Sequence, residues 1–420
     1  MFAVDWCDPY AEQVAHGNEI AAVTASTARA LLRLRGDTAS RALAELLVRR
    51  YESLDAAQKT DFFGVLLNEF GAIRADVDFA IADYQRDPSE MHTVALAEAA
   101  DSQRLALFRA INTAPGGIAM LLDMRTCLLE HRSQHPELAP VENDLKHLLT
   151  SWFNRGFLEL QQLDWTTPAH ILESLIKYEA VHEIRGWSDL RRRLAPDRRS
   201  FGFFHPALPD EPIIFVEVAL TRGLATSIQD VIDAPPPEPH AGVDAGATMG
   251  AARDTAIFYS ITNCQTGLRG ISFGSFLIKR VTELLATEDP TIATFSTLSP
   301  IPGFAAWLAE AHPDADVEDR RLMERRCATY LLTVRRRGLP SDPVARFHLR
   351  NGACLEQINW HGDTSAKGLA ESHGLLVNYL YSGQDLSANN EALTLDHIVT
   401  ASRRVLDLLD PAEDARVRLG

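Results

Sequence analysis

The run TAIFYSITNCQTGLRGISFGSFLIKRVTELL, residues 255–285, decides how the second half of this chain folds. It opens with β-branched and aromatic residues, as a strand requires. It closes with apolar residues at helical spacing. Between the two, Gly267, Gly270 and Gly274 let backbone N–H groups approach a ligand closely. A helix starting near Gly274 and Ser275 would point its positive end into that loop. Strand, glycine loop and amphipathic helix in this order make a cradle for a diphosphate. The spacing is neither the GxxxxGKS/T of a nucleotide-triphosphate loop nor the GxGxxG of a dinucleotide site. No lysine or acidic magnesium ligand is placed to help, so CoA is favoured over ATP as the occupant.

The next stretch, TIATFSTL, should pair parallel beside TAIFYSIT through the right-handed crossover of strand–helix–strand units. Both strands then end on the same side. In FSTLSPIPGFAAWL (295–308) the chain leaves that strand at Ser299, near the splay where α/β sheets bind ligands. Pro300 and Pro302 each fix φ and remove an N–H, which forbids both helix and central strand there. The corner therefore holds the Ser299 hydroxyl without a flexible loop, as preorganisation demands.

Outward from this core, SFGFFHP, EPIIFVEVAL, VARFHLRNG and CLEQINW also read as strands. SIQDVIDA, DRRLMERRCATYLLTVRRRG and LDHIVTASRRVLDLL read as helices, so the second half is α/β. Residues 234–254 are rich in Pro, Gly and Ala and read as a surface loop. From about 20 to 160 the pattern is different. STARALLRLRG, SRALAELLVRRYESLD, DFFGVLLNEFG, HTVALAEAADSQRLALFRAINT, GGIAMLLDMRTCLLEHR and VENDLKHLLTSWFNRGFLELQQL all have helical periodicity, broken at Gly and Pro. We expect two domains: an all-α helical bundle over 1–170 and an α/β domain over 171–420. Nothing in the bundle has catalytic spacing, and packing with subunit contact is its expected role.

The chain has 420 residues, 46% hydrophobic and 23% charged, and a net charge of −16. That balance argues against a nucleic-acid or anionic-membrane partner. Cys7, Cys127, Cys264, Cys327 and Cys354 are scattered, without CxxC or zinc spacing. They read as free thiols of a reducing cytoplasm. No apolar run is long enough to span a membrane, and MFAVDWCDPYAEQ lacks the features of a secretory signal. A cytoplasmic location is expected.

The loop RGISFGSFL resembles the acyl-CoA pyrophosphate loop of acetyltransferase-like (GNAT) folds, with Ser272 where the middle glycine is usual. More specifically, YEAVHEIRGWSDLRRRL, HPALPDEPIIFVEVALT, GLRGISFGSFLIKRV, LSPIPGF, SDPVARFHLRNGA and INWHGDTSAKGLAESHGLLVNYLY together resemble the malonyl-CoA decarboxylase family. The resemblance covers about 178 to 410, and the first half resembles that family's helical oligomerisation domain in length and character. It implies a GNAT-like catalytic domain that converts malonyl-CoA to acetyl-CoA and CO2 with no metal or organic cofactor. It further implies a homo-oligomer, dimer or tetramer, assembled through the helical domain. Carried over by motif, the catalytic pair is Ser299 of LSPIPGF and His348 of FHLRNGA, with Tyr381 of NYLY beside them. The substrate-binding run is Arg269, Gly270, Ile271, Ser272, Phe273, Gly274 and Ser275, with no catalytic role for the Ser272 side chain.

His348, expected on a strand, is suited to protonate the α-carbon because histidine titrates near neutrality. Of the other histidines, His205 could shape the site, and His361 and His373 could line an acyl pocket. His92, His131, His135 and His147 read as solvent-facing. The arginine-rich GWSDLRRRLAPDRR (186–199) reads as a solvated helix face, or as a receiver for the CoA 3′-phosphate. Two other activities fit the same residues: acyl transfer to an amine, and acyl-CoA binding without turnover.

Overall fold

The computed structural model describes residues 17–34, 37–235, 253–271, 273, 276–409 and 417–420. Most of the expected surface loop 234–254, together with Cys7, lies outside the described residues. The chain divides into two compact units. One is formed by the residues up to Phe157 together with Gln265–Ile271, and the other by the rest of the chain from Leu158. The boundary thus falls ahead of the expected 170/171, because Glu159–Leu163 is an edge strand paired with Arg198–Phe204.

In the first unit, eight α-helices run among the described residues, from Gly17–Arg33 to Ala139–Trp152. Leu47, Tyr51, Phe62, Leu66, Phe108, Ile111, Leu121, Met124, Leu145 and Leu149 form its core. The helix Ala56–Glu69 starts on a capping box, with Asp55 accepting from Gln58 N and the Gln58 side chain from Asp55 N. The single helix expected over HTVAL to AINT is two, Glu90–Ala100 and Gln103–Ile111. Ser102 and Arg104, at the break, both donate to Asp144 at 2.7 Å. The helix Arg74–Arg86 was not expected; of its residues only Ala80 is buried.

The second unit holds β1 (Glu159–Leu163), β2 (Arg198–Phe204), β3 (Ile214–Thr221), β4 (Thr255–Asn263), β5 (Thr294–Thr297), β6 (Ser299–Pro300), β7 (Arg335–Arg336), β8 (Leu339–Pro340), β9 (Cys354–Asn359), β10 (Leu376–Leu380), β11 (Val399–Ala401) and β12 (Val417–Leu419). Their order is β1-β2-β3-β4-β5-β10-β9-β11-β12, with β6 also on β10 and β7-β8 a separate hairpin. β2, β3 and β4 are buried along almost their whole length, which is why they read as continuous apolar runs.

β4 and β5 pair parallel as expected, from Thr255–Thr294 to Phe258–Thr297, with Leu298 N adding one more bond to Phe258 O at 3.0 Å. The helix Phe276–Glu288 is the crossover between them. Beyond Phe258, β4 runs on to Asn263 while the other strand turns away at Ser299, so the pair opens at this end. A helical part followed by an α/β part is therefore what the chain contains. The loop RGISFGSFL, on which the acetyltransferase-like resemblance rests, lies between β4 and this crossover helix.

Three local expectations are corrected. VARFHLRNG is not a strand but the helix Pro343–Arg350. Asp342 caps it by accepting from Val344 N and Ala345 N, and Pro343 takes the first position, where no N–H is needed. LDHIVTASRRVLDLL is broken by β11, with Leu386–Leu395 helical before it and Arg403–Leu406 after. The corner at Ser299 is not strand-free, because Ser299 and Pro300 lie opposite Val377 and Leu376 of β10. No helix among the described residues is long and apolar enough to cross a membrane.

Candidate active site

Ser299 leaves β5 two residues after Thr297, so both side chains lie on one face of the chain. The Ser299 hydroxyl donates to Thr297 Oγ1 at 2.9 Å, and that oxygen also accepts from Tyr379 N at 3.1 Å. His348 comes from the helix Pro343–Arg350 and brings Nε2 to 3.1 Å from Ser299 Oγ. Its other nitrogen, Nδ1, is 2.8 Å from the Tyr381 hydroxyl. With the serine proton committed to Thr297, a consistent set of directions has Nε2–H donating to Ser299 and Tyr381 O–H donating to Nδ1.

Tyr379 and Tyr381 flank Leu380 at the end of β10 and so share a face. The ring of Tyr379 stacks on His348 at 4.7 Å between centroids and 22° between planes, while Tyr381 meets the same ring edge-on. One aromatic sets the plane of the imidazole and the other holds its nitrogen. Behind them Asn378 donates to Thr297 O at 2.7 Å and accepts from Asn359 Nδ2 at 2.7 Å. Ser299, His348 and Tyr381 are all buried. Burial lowers the His348 pKa to about 3 and pushes the Tyr381 hydroxyl well above its ordinary range. The expectation that His348 titrates near neutrality is thereby corrected: with no charged neighbour, an imidazolium there would lose its hydration uncompensated. The resting ring is neutral.

The expected substrate-binding run divides. Ser272, Gly274 and Ser275 lie outside the described residues. Arg269 and Gly270 are exposed, Ile271 and Phe273 buried, and Gly270 has φ of 78°, which suits glycine. Arg269 to Ile271 belong to the helical unit, where the buried Arg125 holds the loop. Its guanidinium donates to Gly267 O at 2.5 Å, to Arg269 O at 2.8 Å and to Glu142 at 2.9 Å. Gly267 lies against the Leu122 carbonyl, where any side chain would collide.

The arginine-rich run 186–199 is only partly a solvated face. Arg193 is buried on Glu217 at 2.8 Å, Arg192 and Arg198 pair with Asp197, and Arg191 lies over Trp165. Arg192, Arg193 and Arg198 are thus engaged within the protein, while Arg191 stays exposed. His205 is buried and accepts from Ala207 N. His361 stacks on Trp360, and His373 ends the helix Ala366–Ser372 in a left-handed conformation. Thr297, Tyr379 and Arg125 were missed from sequence. The i, i+2 relation of Thr297 to Ser299, and of Tyr379 to Tyr381, was the available signal for the first two. Arg125 left none, since its loop partners are more than 140 residues away. Among the described residues no three metal-ligating side chains cluster, and the four cysteines are free thiols.

Comparison with known proteins bears on this geometry. The family model of the malonyl-CoA decarboxylase C-terminal domain matches residues 156–319 and 309–418, and that of the N-terminal domain matches 70–153. The mitochondrial malonyl-CoA decarboxylase of Anser anser anser is 35% identical, over 86% of this chain and 82% of that protein. The crystal structure of malonyl-CoA decarboxylase from Rhodopseudomonas palustris is 44% identical with a TM-score of 0.84, covering 94% of this chain and 100% of that one. The one from Agrobacterium vitis is 45% identical, also at 0.84, covering 92% and 99%. Fold and likeness together define a carboxy-lyase. The chain belongs to the malonyl-CoA decarboxylase family.

Proposed function

We propose that the chain decarboxylates malonyl-CoA to acetyl-CoA and CO2 through Ser299 and His348, without metal or organic cofactor. One observation carries this reading: Ser299 Oγ lies 3.1 Å from His348 Nε2, and Tyr381 holds the far nitrogen at 2.8 Å, all buried at the open end of the parallel pair. In the reaction the bond between the α-carbon and the carboxylate breaks. Its electron pair passes into the thioester carbonyl as an enolate, CO2 departs, and the α-carbon takes one proton.

The low resting pKa of His348 fits this sequence. A malonyl carboxylate brought against the ring favours the imidazolium, because an opposite charge raises a histidine pKa. Loss of CO2 moves that charge from the carboxylate onto the enolate and leaves the imidazolium, an acid in an apolar setting, beside the carbanion. His348 then delivers its proton and returns to the neutral ring. Ser299 orients the carboxylate and the imidazole, Tyr381 keeps the ring from rotating, and the 269–275 run carries the CoA diphosphate. A positioned acid contributes about 10²–10⁴-fold, and each donor aimed at the enolate oxygen roughly 3–4 kcal/mol.

The helices Arg74–Arg86 and Glu90–Ala100 support the expected homo-oligomer. Phe79 and Met91 are each 70% exposed, and Glu90–Ala100 buries none of its residues. A second copy covering this face accounts for it. The free thiols support a reducing, cytoplasmic setting, although the curated relatives are named mitochondrial. The test is incubation of purified protein with malonyl-CoA and EDTA in D2O, with acetyl-CoA followed by mass. Acetyl-CoA carrying one deuterium is expected. Activity abolished by EDTA and restored by a metal would overturn the cofactor-free reading, and acyl product appearing only with an amine acceptor would favour transfer.

A further inference from the structure

The two members of the proposed catalytic pair come from segments with no covalent reason to meet. Ser299 precedes the corner Pro300-Ile301-Pro302-Gly303, and His348 sits six residues past Asp342 on a short helix. A single buried carboxylate touches both segments. Asp342 is 1% exposed. Its Oδ1 accepts from Val344 N and Ala345 N, each at 2.9 Å, and so starts the helix that carries His348. Its Oδ2 accepts from Gly303 N at 3.2 Å, at the far end of the serine corner. The Tyr330 side chain bonds the same carboxylate, and Gly303 lies so close to the Tyr330 hydroxyl that a Cβ would collide with it.

Both arms leading away from Asp342 are stiff. Between Gly303 and Ser299 two prolines fix φ, so a shift at Gly303 is passed on rather than absorbed. Pro343 confines Asp342 to extended backbone (φ −63°, ψ 130°), and fewer than two helical turns separate the cap from His348. A helix cap alone needs only one oxygen. The second oxygen, turned to the corner, is what capping does not explain.

We propose that Asp342 is a positioning residue for the decarboxylation: by bonding the serine corner with one oxygen and the histidine helix with the other, it sets the Ser299–His348 separation. This rests on the reading of Ser299 and His348 as the catalytic pair. Without the second tie the pair moves apart, and turnover falls while CoA binding is kept.

Two variants separate the roles. Asp342→Asn keeps an oxygen for the cap but turns an NH2 group towards Gly303 N–H. Asp342→Ser keeps a good cap and is too short to reach the corner. Both should bind CoA with wild-type affinity, hold KM within about twofold, and lose roughly 10–100-fold in kcat, the scale of a displacement near 1 Å. In a Ser299→Ala background the same substitutions should cost almost nothing further, since their target is gone. Wild-type kcat in Asp342→Ser reduces the residue to a helix cap, and equal losses with and without Ser299 reduce it to a structural carboxylate. Failure of both variants to fold would overturn the proposal in the same direction. A fully active Ser299→Ala protein would instead sink the catalytic pair itself, an outcome distinct from a staple that fails while Ser299→Ala is inactive.

Discussion

His348 carries most of the chemistry assigned to the site, and its environment makes two testable demands. Removing the ring as His348→Asn should lower kcat by about 10²–10⁴-fold with little change in CoA affinity, read by steady-state kinetics and calorimetry. Unchanged turnover would take the histidine out of the proton-donor role. The second demand concerns pH. The ring titrates at about 3 in the folded protein, against the ordinary 6.5. Between those values the unfolded chain holds a proton that the folded chain lacks, so stability rises with pH through this window and is complete above 6.5. Acidification from pH 7 to pH 5 should therefore cost about 2 kcal/mol through this residue, at 1.36 kcal/mol per pH unit. The His348→Asn protein should show a correspondingly flatter dependence of its urea midpoint. Parallel curves for the two proteins would mean that the ring is not buried neutral.

At the scale of elements, the loop between β4 and the crossover helix is held by a side chain remote in sequence. Arg125 spans Gly267 O, Arg269 O and Glu142 with one planar fork. Arg125→Lys keeps the charge beside Glu142 but cannot present donors to both carbonyls in that geometry. KM and the CoA dissociation constant should each rise about tenfold, roughly 1.4 kcal/mol, with kcat near wild type. A wild-type KM would separate the loop from substrate binding. The element read wrongly at the centre of the site was the segment around His348. VARFHLRNG has the residue types of a strand, yet Asp342 and Pro343 ahead of it are a helix start. Nine residues are too few for periodicity to arbitrate between the two.

For the whole molecule, the exposed apolar face on Arg74–Arg86 and Glu90–Ala100 predicts a dimer or larger assembly. The double variant Phe79→Glu with Met91→Glu should shift the species seen by light scattering towards monomer. Circular dichroism should stay unchanged, since neither side chain is part of the core. An assembly identical to wild type would place the interface elsewhere. The division into units also departs from what composition suggested. Change in residue pattern dates the boundary to where helices give way to strands. The fold instead assigns Gln265–Ile271 to the helical unit, although both flanking stretches belong to the other.

The sequence by itself determined the two-part architecture, the parallel β4–β5 pair and the place of Ser299 at its end, while His348 and Tyr381 became candidates through the resemblance to the malonyl-CoA decarboxylase family. Those readings depend on local chemistry: apolar periodicity, proline and glycine punctuation, and motifs contiguous along the chain. Only the tertiary structure decided that His348 rides a helix capped by Asp342, that burial keeps its ring neutral, and that Ser299, Tyr379 and Tyr381 all contact that ring. It also decided that Arg125 reaches the glycine loop and that Arg192, Arg193 and Arg198 are paired with carboxylates inside the second unit. Desolvation and long-range hydrogen bonds depend on which distant residues become neighbours, and no window along the chain contains both partners.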